Sequence, residues 1–312
     1  MKNVTLRLLT ATALLSLFSL AANAQDAYLE NLSLPRFIKA NTNYTLKVNA
    51  KNNSPTPLPS FQVRWRVDGG AWSPLHTVNV SAPGLQNGNY YMPVSHNTPL
   101  NAAPGAHTLD VEVLSTSDSN PANNTISIGF TSLSNWAEKV ALLEGRTETW
   151  CQYCPNANTI TNTLASDPKY AVAKFHTNDG LASTDGTSYY NTYYHPTFTP
   201  AAVLDMGEYG GYTVNSAANR WSDEMLARVA GVAPASIAIS SQLGWSSRVL
   251  TVQVTANFKY ALTGNFKLNV YVLENDVPGP QTNAPANYRH NQVVRALLGG
   301  ASGTSGGHWL PP

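Results

Sequence analysis

Two cysteines stand three residues apart in the run Trp150-Cys151-Gln152-Tyr153-Cys154-Pro155, and the chain has no others. A C-x-x-C pair at the start of a helix has a defined chemistry. The first thiol sits where helix N–H groups and the macrodipole favour a thiolate, which lowers its pKa. The second thiol, one turn on, is close enough to attack the mixed disulfide that forms on the first. Pro155 fits this placement, because its fixed φ is tolerated in a first helical turn. A zinc site needs about four ligands, and His176 and His195 lack metal-site spacing relative to the pair. A c-type haem site requires His directly after the second Cys, where Pro155 stands. No metal and no cofactor is therefore expected. An inert disulfide is the competing reading, although so short a loop stabilises little.

The segment around the pair reads as α/β. Val140-Ala141-Leu142-Leu143 is continuously apolar, as a strand buried on both faces should be. A helix-compatible stretch, 158–166, follows the cysteines, and Tyr170 to His176 reads as a second buried strand. Ala201-Ala202-Val203-Leu204-Asp205 is a third strand. Residues 216–230 carry helical spacing in Trp221, Met225, Leu226 and Val229. Asp179, Asp185 and their Asn and Gly neighbours predict a loop without calcium-loop spacing. His176 and His195 read as ordinary polar residues. Tyr189-Tyr190 and Tyr193-Tyr194 suit either a binding rim or aromatic packing.

On either side the period changes to two. Residues 44–50, 61–67, 108–114 and 125–130 alternate apolar and polar, with turn pairs at Pro83-Gly84, Asn87-Gly88 and Pro104-Gly105. About seven short strands in some 100 residues predict an immunoglobulin-like β-sandwich. Residues 236–240, 250–255 and 267–272 alternate again and predict a C-terminal β-sandwich-like domain. It reads as incomplete, either cut short with a C-terminal sorting segment missing or ending in a tail. The expected division is a signal peptide at 1–24, a sandwich at 25–134, the α/β domain at 135–232 and the C-terminal β domain at 233–312.

The leader rests on Lys2 and Arg7 before an apolar run that ends in Ala22-Asn23-Ala24, the parts of a secretory signal peptide. No later stretch is long and apolar enough to span a bilayer as a helix. The expected location is therefore export to the periplasm, outer membrane or cell surface. Charge agrees with that reading: 19 basic and 18 acidic residues make only 12% of the 312-residue chain, with a net charge of +1. Such a chain has no field to gather phosphates, which argues against a nucleic-acid partner.

Leu142-Leu143-Glu144 with Thr147-Glu148-Thr149-Trp150-Cys151-Gln152-Tyr153-Cys154-Pro155 resembles the thioredoxin-like domain of the Omp28-related outer-membrane proteins of Bacteroidetes. Thr199-Pro200-Ala201-Ala202-Val203-Leu204-Asp205 is similar to that family's cis-proline strand, and residues 289–295 to part of its C-terminal β domain. The resemblance spans roughly residues 136–300. It implies a thioredoxin-like fold, with Cys151 as attacking thiol and Cys154 as resolving thiol. Pro200 would be the cis-proline, Pro196 being its rival, and Thr199 would face the disulfide and offer backbone groups to a substrate peptide. Trp150 would flank the site. The partners implied are protein or peptide thiols and disulfides, together with an outer-membrane or cell-surface component. Two positions depart from the pattern. Thioredoxins carry a buried acid six residues before the first Cys, where this chain has Gly145, with Glu144 one further away. Glu148 stands where Gly is common, and a carboxylate beside the thiols should raise their pKa. Both departures weaken the case for a fast reductase. The missing acid, with the two flanking sandwiches, favours the alternative, a non-enzymatic surface protein (an adhesin or binding scaffold) whose C-x-x-C locks a loop.

Overall fold

The computed structural model describes residues 25–303 except 89–90, 117, 196–197, 206–220 and 263–266. The expected leader lies outside the described residues, as do the last nine residues of the C-terminal Gly-rich run. The described chain is mostly β-sheet with few helices. No helix among the described residues is long and apolar enough to cross a membrane. The chain divides into two compact units, residues 1–34 with 41–130, and residues 35–40 with 131–312.

The first unit carries two sheets. One joins β1 (Ala27–Ser33), β3 (Lys47–Asn52) and β6 (Met92–Ser95), and the other joins β5 (His76–Asn79), β4 (Ser60–Val67), β7 (Gly105–Leu114) and β8 (Thr125–Leu133). Alternation in sequence becomes alternation in burial. Phe61 and Val63 in β4, and Leu109, Val111 and Val113 in β7, are buried, while their neighbours reach outward. Two sheets with this pattern are what a β-sandwich requires. The last residues of β8 run into the second unit. There Thr131, Ser132 and Leu133 pair in parallel with Phe37, Ile38 and Lys39 of β2 (Phe37–Lys39).

The second unit is built on a five-stranded sheet. Its first strands are β9 (Ala141–Thr147), β10 (Tyr170–His176) and β11 (Ala201–Leu204). β9 and β10 are parallel in full register from Ala141↔Tyr170 to Thr147↔His176, and β11 runs antiparallel on the outer side of β9. On the far side of β10 come β17 (Val293–Leu297), parallel to it, and then β14 (Tyr271–Glu274), antiparallel to β17. The expected division at residue 233 is not seen in this sheet. β14 and β17 complete the sheet that β9 begins, because the open edge of β10 needs a hydrogen-bonding partner and finds it far downstream in the chain. What stands apart is the hairpin of β12 (Ala235–Gly244) and β13 (Val249–Phe258), a two-stranded sheet of its own. A short pair, β15 (Val277–Pro278) with β16 (Arg289–His290), lies between β14 and β17 in sequence.

Helices cover both faces of the five-stranded sheet. α1 (Cys154–Ala165) buries Cys154, Ala157, Asn158, Thr161 and Leu164, one stripe of a 3.6-residue period. With α3 (Trp221–Val229) it closes a core of Ala141, Leu143, Val172, Ala202, Leu204, Trp221 and Met225. Leu226, assigned by spacing to that stripe, is 60% exposed instead. α2 (Thr184–Tyr194) occupies part of the stretch expected to be a loop. Ser183 caps it by accepting from the Gly186 N–H, and Asp185 complements the dipole in its first turn. Its Tyr189 and Tyr190 pack with Phe175, Val294 and Leu297 in a second core. Those two tyrosines are core, and only Tyr193 of the four reaches water substantially.

Candidate functional site

Cys151 and Cys154 form a disulfide in the first turn of α1 and the loop before it. The loop is a continuation of β9, so the strand buried by α1 and α3 delivers the pair to the end of the sheet. The Cys151 N–H donates to the Glu148 carbonyl at 3.1 Å, and the Cys154 N–H to the Cys151 carbonyl at 3.3 Å. Cys151 is 3% exposed and Cys154 fully buried, while Trp150 and Tyr153 beside them are exposed at 52% and 68%. The Trp150 indole N–H donates to the Asn178 carbonyl at 3.2 Å, which lays its ring along the surface next to the pair.

The segment entering β11 meets the disulfide. The Thr199–Pro200 peptide bond is cis, Pro200 is buried, and Thr199 Oγ1 lies 3.7 Å from Cys154 Sγ. The structure thus brings Cys151, Cys154, Thr199 and Pro200 together, with Trp150 at the rim. The rival proline, Pro196, lies outside the described residues.

The two carboxylates flagged in the sequence are not aimed at the sulfurs. Glu148 is fully buried and accepts from Arg146 Nε at 3.0 Å, from Thr177 Oγ1 at 2.6 Å and from the Asn178 N–H at 3.0 Å. Arg146 pairs with its carboxylate at 3.0 Å. Glu144 lies on the α2 face of β9, away from α1, because alternate residues of a strand point to opposite faces. Three phenol hydroxyls donate to it, Tyr189 at 2.9 Å, Tyr194 at 2.5 Å and Tyr271 at 2.8 Å. Burial pushes its carboxyl up in spite of those bonds. Gly145 shares the parity of Ala141 and Leu143, so the α1 face of β9 carries no acid there.

Further groups hold the cysteine loop, and none was visible in the motif. Gln281 Nε2 donates to the carbonyls of Cys151 at 2.9 Å and of Glu148 and Thr149 at 3.2 Å each. The Thr282 N–H donates to the same Thr149 carbonyl at 2.8 Å, and Asn283 Nδ2 to Gln152 O at 3.2 Å. Asn158, one turn beyond Cys154, donates to the Tyr288 hydroxyl at 2.9 Å. Asp179 accepts from the Thr149 N–H at 2.7 Å and from His176 Nδ1 at 2.7 Å. Burial pushes the Asp179 carboxyl up, but the bonds from His176, Thr149 and Leu181 outweigh it and hold the group below the usual carboxylate range. The contacts made to the loop and to α1 join positions 30 to 133 residues apart, and no local signal announces such pairs. Among the described residues, no group of three or more His, Cys, Asp and Glu side chains is placed to hold a metal ion.

No family model matches the chain, and no curated protein matches it. Solved structures similar to parts of it include HBP35 of Porphyromonas gingivalis, at 22% identity and a TM-score of 0.46, covering 53% of this chain and 58% of that one. The CARDB domain of the PF1109 protein from Pyrococcus furiosus, in complex with di-metal ions, aligns at 17% identity and a TM-score of 0.27, over 35% of this chain and 87% of that one. A beta-glucosidase from Listeria innocua aligns at 16% identity and a TM-score of 0.22, over 35% of this chain and 16% of that one.

Proposed function

We propose that the second unit is a thioredoxin-like module of an exported protein and performs thiol–disulfide exchange through Cys151 and Cys154. The observation that carries this reading is the Cys pair at the start of α1 with Thr199 of the incoming β11 segment 3.7 Å from Cys154 Sγ. In exchange, a substrate dithiol as thiolate attacks Cys151, and the S–S bond breaks with Cys154 as leaving thiolate. The second substrate sulfur then displaces Cys151, leaving an oxidised substrate and a reduced Cys pair. Run backwards, Cys151 is the attacking thiol and Cys154 resolves the mixed disulfide. Thr199 offers its backbone to the substrate peptide, and exposed Trp150 forms the rim. The resemblance to Omp28-related proteins supports the same assignment, with protein thiols or disulfides at the outer membrane or cell surface as partners.

A second reading has its own support. Cys151 is only 3% exposed and no acid stands at Gly145, as suits a non-enzymatic surface protein, an adhesin or scaffold, whose disulfide locks a loop. Trapping separates the two. Cys154→Ala, exposed to a mixture of reduced and oxidised envelope proteins, is expected to accumulate mixed disulfides on Cys151 at several times the level seen on Cys154 in Cys151→Ala. Equal or negligible capture by both variants would sink the exchange reading and leave the structural one.

A further inference from the structure

Behind the cysteine loop lies a buried pair of imidazoles that the exchange steps do not use. His176 closes β10 and His290 closes β16, and each is 2% exposed. Their ring centroids are 5.1 Å apart in an edge-to-face arrangement. A carbonyl only accepts, so the 3.3 Å contact between His290 Nε2 and the Pro280 carbonyl puts the hydrogen on Nε2 and leaves Nδ1 a bare acceptor. That Nδ1 has no hydrogen-bond partner among the described residues. His176 is likewise anchored through Nδ1 on Asp179, and its Nε2 has no partner among them either. A buried polar nitrogen without a partner is uncommon and asks for a role. Here two stand side by side.

Both anchors lead to the cysteines. Asp179 Oδ2, which takes the His176 proton donor, also takes the Thr149 N–H two residues before Cys151. Pro280, which takes His290, precedes Gln281, whose amide nitrogen holds the Thr149 and Cys151 carbonyls. On the α1 face of β9 the nearest positions are Thr147, paired with His176, and Gly145, so no carboxylate competes for this role.

We infer that the His176–Asp179 pair, with His290 packed against it, is the proton-holding group that sets the acidity of the exchanging thiol in the reduced protein. The inference rests on the exchange reading. A dithiol that reduces the disulfide becomes oxidised itself and delivers two electrons and two protons. One proton stays on sulfur, and the other sits on His176 while the second sulfur remains a thiolate. With that proton, His176 cancels the Asp179 charge. Without it, an uncompensated carboxylate faces the loop and disfavours the thiolate. His176 and Asp179 are positioning residues in this scheme, acting through the loop.

The other titratable groups around the pair are Lys174, Tyr288 and Glu148. Lys174, two residues back on β10, donates to Asn162 of α1 and is held down to about 7 by burial. Tyr288 packs edge-on to His290, and burial raises its hydroxyl although Asn158 bonds to it. Glu148 bonds the Thr177 hydroxyl and the Asn178 N–H on the loop between His176 and Asp179, and Arg146 matches its charge. Burial, with repulsion from His176, holds His290 below its ordinary value.

The test is the thiolate titration of the reduced full-length protein, followed by ultraviolet thiolate absorbance. His176→Asn is expected to raise the thiolate midpoint by about one pH unit, a tenfold loss of thiolate below the midpoint. Asp179→Asn, which still accepts from Thr149, is expected to lower it, and the double variant to return it to within about 0.3 of the unsubstituted protein. Loop damage produces neither opposite shifts nor mutual rescue. If His176→Asn does not fold, Asp179→Asn decides alone: an unchanged or raised midpoint overturns the inference. A disulfide that dithiothreitol does not reduce overturns the exchange reading and this inference with it. Normal reduction with an unmoved midpoint in His176→Asn overturns the inference alone.

Discussion

Glu144 shows how a single residue can link distant segments and make stability depend on pH. It is fully buried, and hydroxyls of α2 and of β14 converge on it, the latter from 127 residues away. Burial is the dominant influence and raises its pKa, with the three hydroxyl bonds pulling the other way. A folded-state pKa above the unfolded value means the folded chain holds this proton more tightly. The contribution to stability is then fully present below the ordinary carboxylate range and is lost as pH rises towards the raised value. Glu144→Gln removes that dependence while keeping one acceptor oxygen. Urea unfolding at pH values from about 4 to 8 is expected to show the Glu144→Gln variant gaining on the unsubstituted protein as pH rises, and parallel curves would refute this. Tyr271→Phe withdraws one hydroxyl from a buried carboxyl group and is expected to cost about 1–3 kcal/mol in the same measurement. A loss under about 0.5 kcal/mol would mean that the hydroxyl contributes nothing net.

At the scale of elements, the β12–β13 hairpin is where alternation and burial part company. Ile237, Ile239 and Leu243 share a face with Leu250, Val252 and Val254 across the ladder, yet Ile237 and Ile239 are 64% and 65% exposed. On β13 the same face is half-buried, with Val252 and Val254 lining a recess together with Leu268, Val270 and Leu298, whereas Ile237 and Ile239 on β12 stand largely in water. Replacing both isoleucines by Thr, a strand-compatible residue, is therefore expected to leave unfolding midpoints within about 0.5 kcal/mol while reducing binding of an apolar dye. A loss above about 2 kcal/mol would show that the face is covered. The same contrast explains what was legible. β10 and β11 appear close to their expected bounds. β9 begins at its expected apolar run but continues through Glu144-Gly145-Arg146 to Thr147, because strands buried on both faces leave continuous apolar runs only where the buried side chains are apolar. The Cys pair with Thr199 and Pro200 was legible from the motif. α2 was not. Its run Thr184–Tyr194 has no aliphatic stripe, and its tyrosines are fixed by Glu144 and Phe175, which lie on other elements. Gln281, His290 and the sheet membership of β14 and β17 were hidden for the same reason. Each is a long-range pairing whose partners carry no local pattern.

For the molecule as a whole, the division into two units gives the disulfide an internal control. Both cysteines belong to the second unit, so reduction should leave the first unit's thermal transition where it is. Closing a loop this small in the unfolded chain contributes about 2 kcal/mol in the chain-entropy account. For a unit of this size that corresponds to roughly 4–8 °C. Calorimetry of the oxidised and reduced protein is expected to show one transition falling by that amount and one unmoved. The sign carries the chemistry, because folding and reduction close a thermodynamic cycle. A unit less stable when reduced holds its disulfide more tightly than an unfolded chain does, as a structural or reducing pair must. A unit more stable when reduced gives its disulfide away readily, which is the property of an oxidant of other proteins' thiols. A rise in the second transition on reduction would therefore refute the loop-closure expectation and assign exchange in the oxidising direction, with the reduced pair stabilised by the charges arranged behind its loop.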